Sequence, residues 1–376
     1  MRVAIVHSFY VSSTPSGENL AVLREVEALT SAGHDVHLVA RHSDDLATAP
    51  SYAMTAALRV STGWGGDPSA ELKAFNPDIT HVHNLFPNIG TAWLRHWNGP
   101  IVTTLHNFRP LCANGILFRD GATCTECPDG SARNAVKHSC YRDSKVATLP
   151  LAVANRGGPE RNPLLKRANK IIVLSNRAQS IYTKYGLPED KITIIPNGLD
   201  IPTPASLEPV DPPHWVGIGR LTPEKGFADL VGSWAATRRL DIIGSGPEED
   251  EIRSVADPMV RLLPPMANKE LMALVPKYSG LVLPSKWFEG LPTVVLEALG
   301  SGVPVIAREG NSAADFFLRN EPTWVYDGSR LSLEAALDSV DSRGSHSRIR
   351  ARELFVQKFS LQSWVSELEN LFRALI

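Results

Sequence analysis

Residues 284–298 read Pro284-Ser285-Lys286-Trp287-Phe288-Glu289-Gly290-Leu291-Pro292-Thr293-Val294-Val295-Leu296-Glu297-Ala298, and they carry two carboxylates around the start of one helix. The apolar run Leu281-Val282-Leu283 just before them reads as a buried strand, which Pro284 and Ser285 end. Pro292 suits the first turn of a helix, where its missing N–H is not needed. Glu289 is therefore predicted in a loop and Glu297 further along the helix. Unpaired N–H groups at such a helix start, with the positive end of its dipole, make a seat for a phosphate, and Gly290 lets the backbone come close to it. One carboxylate would lie on each side of a bound diphosphate. The bare spacing also fits two solvated glutamates; the surrounding residues favour a site, because Gly302-Val303-Pro304-Val305-Ile306-Ala307 follows as the next buried strand.

The same alternation of short apolar runs and amphipathic stretches extends through the chain. Strands are predicted at 3–6, 36–39, 79–83, 101–105, 171–175 and 191–198, with a helix at 20–31. This pattern implies an α/β protein with doubly wound, parallel sheets. A linker rich in proline and acidic residues, 201–214, separates a second series that opens at Trp215-Val216-Gly217-Ile218-Gly219-Arg220 and continues with strands at 240–243, 260–263, 281–283 and 303–306. At 376 residues the chain exceeds one ordinary domain. Its boundaries are placed at 1–200, 201–359 and a last helix, 360–376, N-capped by Ser360 with Trp364, Leu368, Leu371 and Phe372 on one face.

Net charge is −2 with both signs dispersed, so nothing points to nucleic acid. No apolar run is long enough to span a membrane, and the run in Met1-Arg2-Val3-Ala4-Ile5-Val6-His7 is too short for a signal peptide, so a cytoplasmic protein is expected. All four cysteines, Cys112, Cys124, Cys127 and Cys140, fall in an insertion at about 108–145. In a reducing compartment a Cys-x-x-Cys pair flanked by two single cysteines favours a structural zinc over disulfides, with His138 able to replace one ligand. Four reduced thiols or a redox pair are the alternatives. Between 133 and 170 lie Arg133, Lys137, Arg142, Lys145, Arg156, Arg161, Lys166, Arg167 and Lys170, against only Asp143 and Glu160. Such an excess suits peripheral contact with anionic lipid or a polyprenyl-diphosphate acceptor, or else a solvated helical face.

Ser16-Gly17-Glu18-Asn19 follows the first strand and precedes a helix, where glycine leaves backbone N–H groups free for a phosphate. It is not a Gly-x-Gly-x-x-Gly fingerprint, which argues against a dinucleotide cofactor. Gly219-Arg220-Leu221-Thr222-Pro223-Glu224-Lys225-Gly226 follows the first strand of the second series, at the strand end where such sheets meet ligands. Arg220 can grip phosphate oxygens in a bidentate way and Lys225 acts as a point charge. Gly244-Ser245-Gly246-Pro247 makes a tight turn at the next strand end. His106, in Thr104-Leu105-His106-Asn107, and His83, in His81-Val82-His83-Asn84, also stand at strand ends. A lone histidine is more often structural, but the strand-end position of His106 opposite the second domain favours a role in the cleft. Asn197-Gly198-Leu199-Asp200 reads as a structural turn.

Taken together, these motifs resemble the retaining glycosyltransferases of family 4, whose signature is two glutamates separated by seven residues, here Glu289 and Glu297 within Glu-Gly-Leu-Pro and Leu-Glu-Ala. The resemblance covers most of the chain, with its specific motifs concentrated in the second domain. It implies a GT-B fold, two Rossmann-like domains facing a cleft, and transfer of a hexose-type sugar from a UDP-, GDP- or ADP-linked donor to a hydroxyl of a glycan, lipid-linked or small-molecule acceptor. It implies no cofactor and no metal for catalysis. By the same resemblance the catalytic set is His106, Arg220, Lys225 and Glu289, with the phosphates on Arg220 and Lys225, the donor-sugar hydroxyls on Glu289 and the ribose on Glu297. Gly17, Gly219, Gly244, Gly246, Gly290, Leu291 and Thr293 would complete the donor site, and the last helix of such enzymes often crosses back to the first domain. Two departures stand out: Ser16-Gly17 replaces a double glycine, and Arg308-Glu309-Gly310-Asn311-Ser312-Ala313-Ala314-Asp315 replaces a double glycine followed by a glutamate. The rival readings are a nucleotide-sugar epimerase of the same fold and a non-catalytic adaptor built around the cysteines.

Overall fold

The computed structural model describes residues 1–12, 16–234 and 237–376. Eight strands lie in the N-terminal half: β1 (Arg2–Phe9), β2 (Asp35–His42), β3 (Ile79–Asn84), β4 (Ile101–Leu105), the two-residue strands β5 (Phe118–Arg119) and β6 (Ala122–Thr123), then β7 (Lys170–Val173) and β8 (Ile192–Ile194). β5 and β6 form a small hairpin; the other six make one parallel sheet in the order β2-β1-β3-β4-β7-β8. The second half repeats the plan with β9 (His214–Ile218), β10 (Arg239–Ile243), β11 (Val260–Leu263), β12 (Gly280–Leu283), β13 (Val305–Arg308) and β14 (Val325–Tyr326) in the order β11-β10-β9-β12-β13-β14. Helices cover both faces of each sheet, so the central strands are buried along most of their length rather than alternating, with the polar Thr80, His81, His83, Thr103 and Thr104 among the buried side chains.

Strand order reverses beside the first strand of each sheet, between β1 and β3 and between β9 and β12. Connections leave in opposite directions there and open a crevice at the carboxyl ends of the strands. The loops after β9 and β12, which carry Arg220, Lys225 and Glu289, therefore emerge side by side.

Three local expectations shift. Ser16 caps the first helix, its Oγ accepting from the Asn19 N–H at 3.3 Å, so Gly17 opens Gly17–Ser31 instead of sitting in a loop. Pro292 keeps an extended ψ of 135° and is the N-cap, and the helix begins at Thr293. The strand expected at 303–306 runs over Val305–Arg308, because Pro304 has no N–H to give and enters the sheet only through its carbonyl, which accepts from Leu281 N at 2.9 Å.

The second domain has one core, centred on Trp215, Phe227, Leu281, Leu299 and Phe355. The first domain has a core on each face of its sheet. One of these faces is closed by the C-terminal helix Leu361–Arg373, whose Trp364, Leu368 and Phe372 pack against Val3, Ile5, Val22, Leu29 and Ile172. The chain thus passes between the domains twice. The crossings lie next to each other: Leu199 N donates to Phe359 O and Leu361 N to Leu199 O, each at 2.9 Å. Gly198 is required here by close approach, since a Cβ on it would stand 2.5 Å from Trp364 Cβ. Among the described residues no helix is long and apolar enough to cross a membrane.

Trp364 joins the second crossing to the first domain's core, so Trp364→Ala should cost about 3–5 kcal/mol. Thermal unfolding checks this, and a melting temperature equal to that of the parent would show that the helix is not an anchor.

Candidate active site

At the crevice of the second domain, Lys225 Nζ pairs with Glu289 Oε1. The same oxygen accepts from Ser285 Oγ at 2.9 Å and from Trp287 Nε1 at 2.6 Å, and the ammonium stands 5.5 Å from the Trp287 ring centroid. Ser312 Oγ donates to the Glu289 backbone carbonyl. Glu289 is only 3% exposed, yet its second oxygen, Oε2, has no hydrogen-bond partner among the described residues. An ionised oxygen withdrawn from water and left unpaired is costly, so the site is built to receive donors there. Gly226 explains how Lys225 reaches the carboxylate. It takes φ +72°, and a Cβ on it would stand 2.4 Å from Pro284 O, so only glycine lets the loop after β9 lie on the loop after β12. Lys286 N then donates to Glu224 O at 2.9 Å across the two loops.

Arg220 keeps its side chain 70% exposed, with one 3.4 Å contact to Glu224, and is free to turn toward a ligand. The loops after β9 and β10 lie back to back. A Cβ on Gly244 would come 1.9 Å from Gly219 O and one on Gly246 2.3 Å from Leu221 O, while Leu221 N donates to Ser245 O at 2.9 Å. Glu297 is buried on the helix Thr293–Gly300 and accepts from Asn268 Nδ2 at 2.9 Å. Leu291 packs at the edge of the second-domain core.

The first domain meets this site directly. A Cβ on Gly290 would be 3.5 Å from His106 O, and one on Gly17 3.7 Å from Thr293 Oγ1, so the two helix starts and the end of β4 converge. Phe288 packs edge-on to Phe108, 6.4 Å between centroids. Arg177 pairs with Asp315 at 2.7 Å and Ser175 Oγ lies 3.1 Å from Ser312 Oγ. The loop that departs from the family pattern is thus structural on both sides. Asn311 Nδ2 holds Ser285 O at 3.0 Å, and Asp315 ties the domains together.

His106 is not alone. Its Nε2 is 2.9 Å from His83 Nδ1, His83 Nε2 is 3.2 Å from Glu25 Oε2, and Glu25 Oε1 is 2.5 Å from His81 Nδ1, whose other nitrogen meets Thr104 Oγ1 at 2.8 Å. Burial opposes ionisation of Glu25, but electrostatic attraction to the His81 and His83 rings and their hydrogen bonds overcome it and hold the carboxyl well below its usual range. Burial pushes His83 and His106 down, the latter strongly and with help from the neighbouring histidines. His83, the weaker of the two cleft candidates, lines the cavity beside His106 while almost wholly buried. Glu25, His81 and His83 are also the group among the described residues whose ligand atoms lie within 4.8 Å of one another. Those atoms are already engaged with each other, His106 and Thr104.

A cavity beside His83 and His106 is lined by Glu18, Phe86, Asn107, Arg109 and Leu151 among others. Burial pushes the Glu18 carboxyl up to about 7 against the pull of Arg109 and of Asn107 Nδ2, which lies 3.0 Å away. Sequence reading passed over Glu18, Glu25, Asn107, Arg109 and Asn268. Of these only Glu18 carried a signal, as the acid in the first turn of a helix that opens beside a strand end.

Cys112, Cys124, Cys127 and Cys140 line one small cavity with Asn114, Arg119 and Glu126, all as free thiols. The four face one another, since burial and then the neighbouring Cys112, Cys140 and Cys124 raise the Cys127 thiol, while Cys112 Sγ rests 2.8 Å from Asn114 Oδ1. His138 turns to Glu126, 3.1 Å away.

Known proteins resemble this chain in sequence and in fold. The model for Glycosyltransferase Family 4 matches residues 16–202, and that for Glycosyl transferases group 1 matches residues 212–337. The chain is 22% identical to a putative colanic acid biosynthesis glycosyltransferase, WcaL, of Salmonella typhimurium, over 98% of this chain and 99% of that protein. It is 31% identical to a D-inositol 3-phosphate glycosyltransferase of Pseudarthrobacter chlorophenolicus over 57% of this chain and 60% of that one. Among solved structures, sucrose-phosphate synthase from Thermosynechococcus elongatus superposes with a TM-score of 0.65 at 18% identity, covering 100% of this chain and 98% of that one. The Anabaena protein HepE in complex with UDP and glucose gives 0.60 at 14%, covering 100% of both chains. The two Rossmann-like domains are those of the GT-B fold, and the chain belongs to the family 4, group 1 glycosyltransferases.

Proposed function

We propose that this glycosyltransferase moves a hexose-type sugar from a nucleotide-sugar donor to a hydroxyl acceptor with retention of anomeric configuration and without a catalytic metal. The observation that carries the reading is the buried, unpartnered Oε2 of Glu289 beside Lys225. Hydroxyls of the donor sugar would satisfy that oxygen, while Lys225 and the free guanidinium of Arg220 neutralise the departing diphosphate, the task a divalent cation performs in other sites. Glu297 faces the ribose. The acceptor oxygen attacks the anomeric carbon on the face the diphosphate leaves, and a phosphate oxygen takes the acceptor's proton. Glu289 and Glu297 are then positioning groups, not a glycosidase pair. The cavity of Glu18, Asn107 and Arg109 beside His106 suits the acceptor, and relatives named for colanic acid biosynthesis and for D-inositol 3-phosphate support a polar, hydroxyl-bearing one.

Glu289→Gln and Lys225→Ala should each lower transfer by about a hundredfold or more in a protein that still folds cooperatively. A thermal-shift panel of UDP-, GDP- and ADP-sugars picks the donor for this assay, and NMR of the product reads the anomer. Near-normal turnover in either variant overturns the assignment, and an inverted anomer overturns retention.

The cysteine cavity lies in a subdomain of two-residue strands and helices of four or five residues, with little apolar core of its own. A structural zinc on the four thiols would supply the missing stabilisation. Elemental analysis should then find about one zinc per chain, lost with a drop in melting temperature in Cys127→Ser. Zinc-free protein that melts like the parent would refute it.

Peripheral membrane contact centres on the helix Lys145–Ala154, where Val146 is 83% exposed and Leu149 also faces out, next to Arg142 and Arg156. Arg167 and Lys170 take no part, being bound to the carbonyls of Trp97, Gly99 and Asp190. The protein should sediment with phosphatidylglycerol vesicles at low salt and release at high salt; no binding at low salt removes the contact.

A further inference from the structure

The side chains behind His106 form a continuous chain from the core of the first domain to the cleft. Glu25 stands on the helix Gly17–Ser31, His81 and His83 on β3, and His106 just past β4. Glu25, His81 and His83 are all buried. His83 Nε2 approaches Glu25 Oε2 at 3.2 Å off the ideal N–H line, and a lone pair facing a carboxylate at that distance would be repelled, so the proton belongs on Nε2. A neutral His83 then has only a lone pair at Nδ1. Across 2.9 Å the facing atom, His106 Nε2, must carry the hydrogen. His106 Nδ1 is left unprotonated, with no hydrogen-bond partner among the described residues.

We propose that Glu25 and His83 are positioning residues that lock His106 in its Nε2–H tautomer, so that it offers the substrate a hydrogen-bond acceptor at Nδ1. The site would then take a hydroxyl group as a donor and disfavour an anionic or carbonyl oxygen at that point. This rests on the reading that His106 belongs to the catalytic set and borders the acceptor cavity. Burial presses the His83 ring toward its neutral form. His81 is bound to Glu25 and Thr104, with the edge of Phe372 against it at 5.5 Å between centroids. His7, edge-on to His83 at 6.3 Å, is pushed down to about 3 by burial and has Nε2 3.0 Å from Asn19 Oδ1. A fixed tautomer matters because the wrong one presents a donor where an acceptor is needed.

Protein labelled with 15N-histidine, with His106 assigned by the signal lost in His106→Asn, tests this without any substrate. The parent should show Nε2 protonated and Nδ1 unprotonated at neutral pH. Glu25→Gln presents an amide to His83 and should shift His106 toward the Nδ1–H form, with turnover falling about 10–100-fold, as when an outer partner of a functional histidine is removed. His83→Gln should release the tautomer in the same way, and it serves if the buried Glu25 variant does not fold. An Nδ1–H tautomer in the parent, or an unchanged tautomer in a folded variant, overturns the proposal. The expected tautomer in a protein that transfers no sugar would leave the relay standing and sink the transferase assignment instead.

Discussion

The pairing of Lys225 with Glu289 is the contact on which the cleft depends. Both groups lose most of their hydration, a cost that the attraction between them repays only when the remaining lone pairs are also met. Ser285 and Trp287 meet those on one oxygen and leave the other bare. The pair therefore does two jobs. It pins the loop after β9 to the loop after β12, and it keeps an unsatisfied acceptor at the point where the first domain closes over the second through Gly290 and His106.

Much of the second domain could be read from its residues because its site is local in sequence. Gly219, Gly244 and Gly246 act through backbone contact between consecutive strand ends, and Glu289 takes its partners from within four residues, apart from Lys225. The α/β class and the parallel, doubly wound sheets follow from apolar runs of strand length separated by helical stretches, and the observed strands differ from the expected ones by a few residues at their ends. Pro304 accounts for one of those shifts through its missing N–H, and Pro292 moves a helix start by one residue, since a proline's φ fits both the N-cap and the first turn.

The first domain was harder to read because its chemistry is assembled from distant segments. Glu25 meets His81 across 56 positions, and Asn107 meets Glu18 across 89. A helix glutamate at a core position looks like any other residue of an amphipathic pattern until the sheet brings β3 beneath it. The cysteines sit between these extremes. Their clustering was plain, and one cavity gathers them, but how the side chains turn within it is set by local geometry, such as the Asn114 contact to Cys112, which spacing does not encode.

The two chain crossings at Leu199 and Ser360 are hydrogen-bonded to each other. A single linker would let the domains swivel about any axis, whereas two strands fastened together resist twist and leave one easy direction of bending. The joined crossings hold Gly290 and His106 in a common register across the cleft. Whatever sugar the enzyme carries, the repeatability of that alignment is set some distance from the site, where the polypeptide leaves one domain beside the place at which it re-enters.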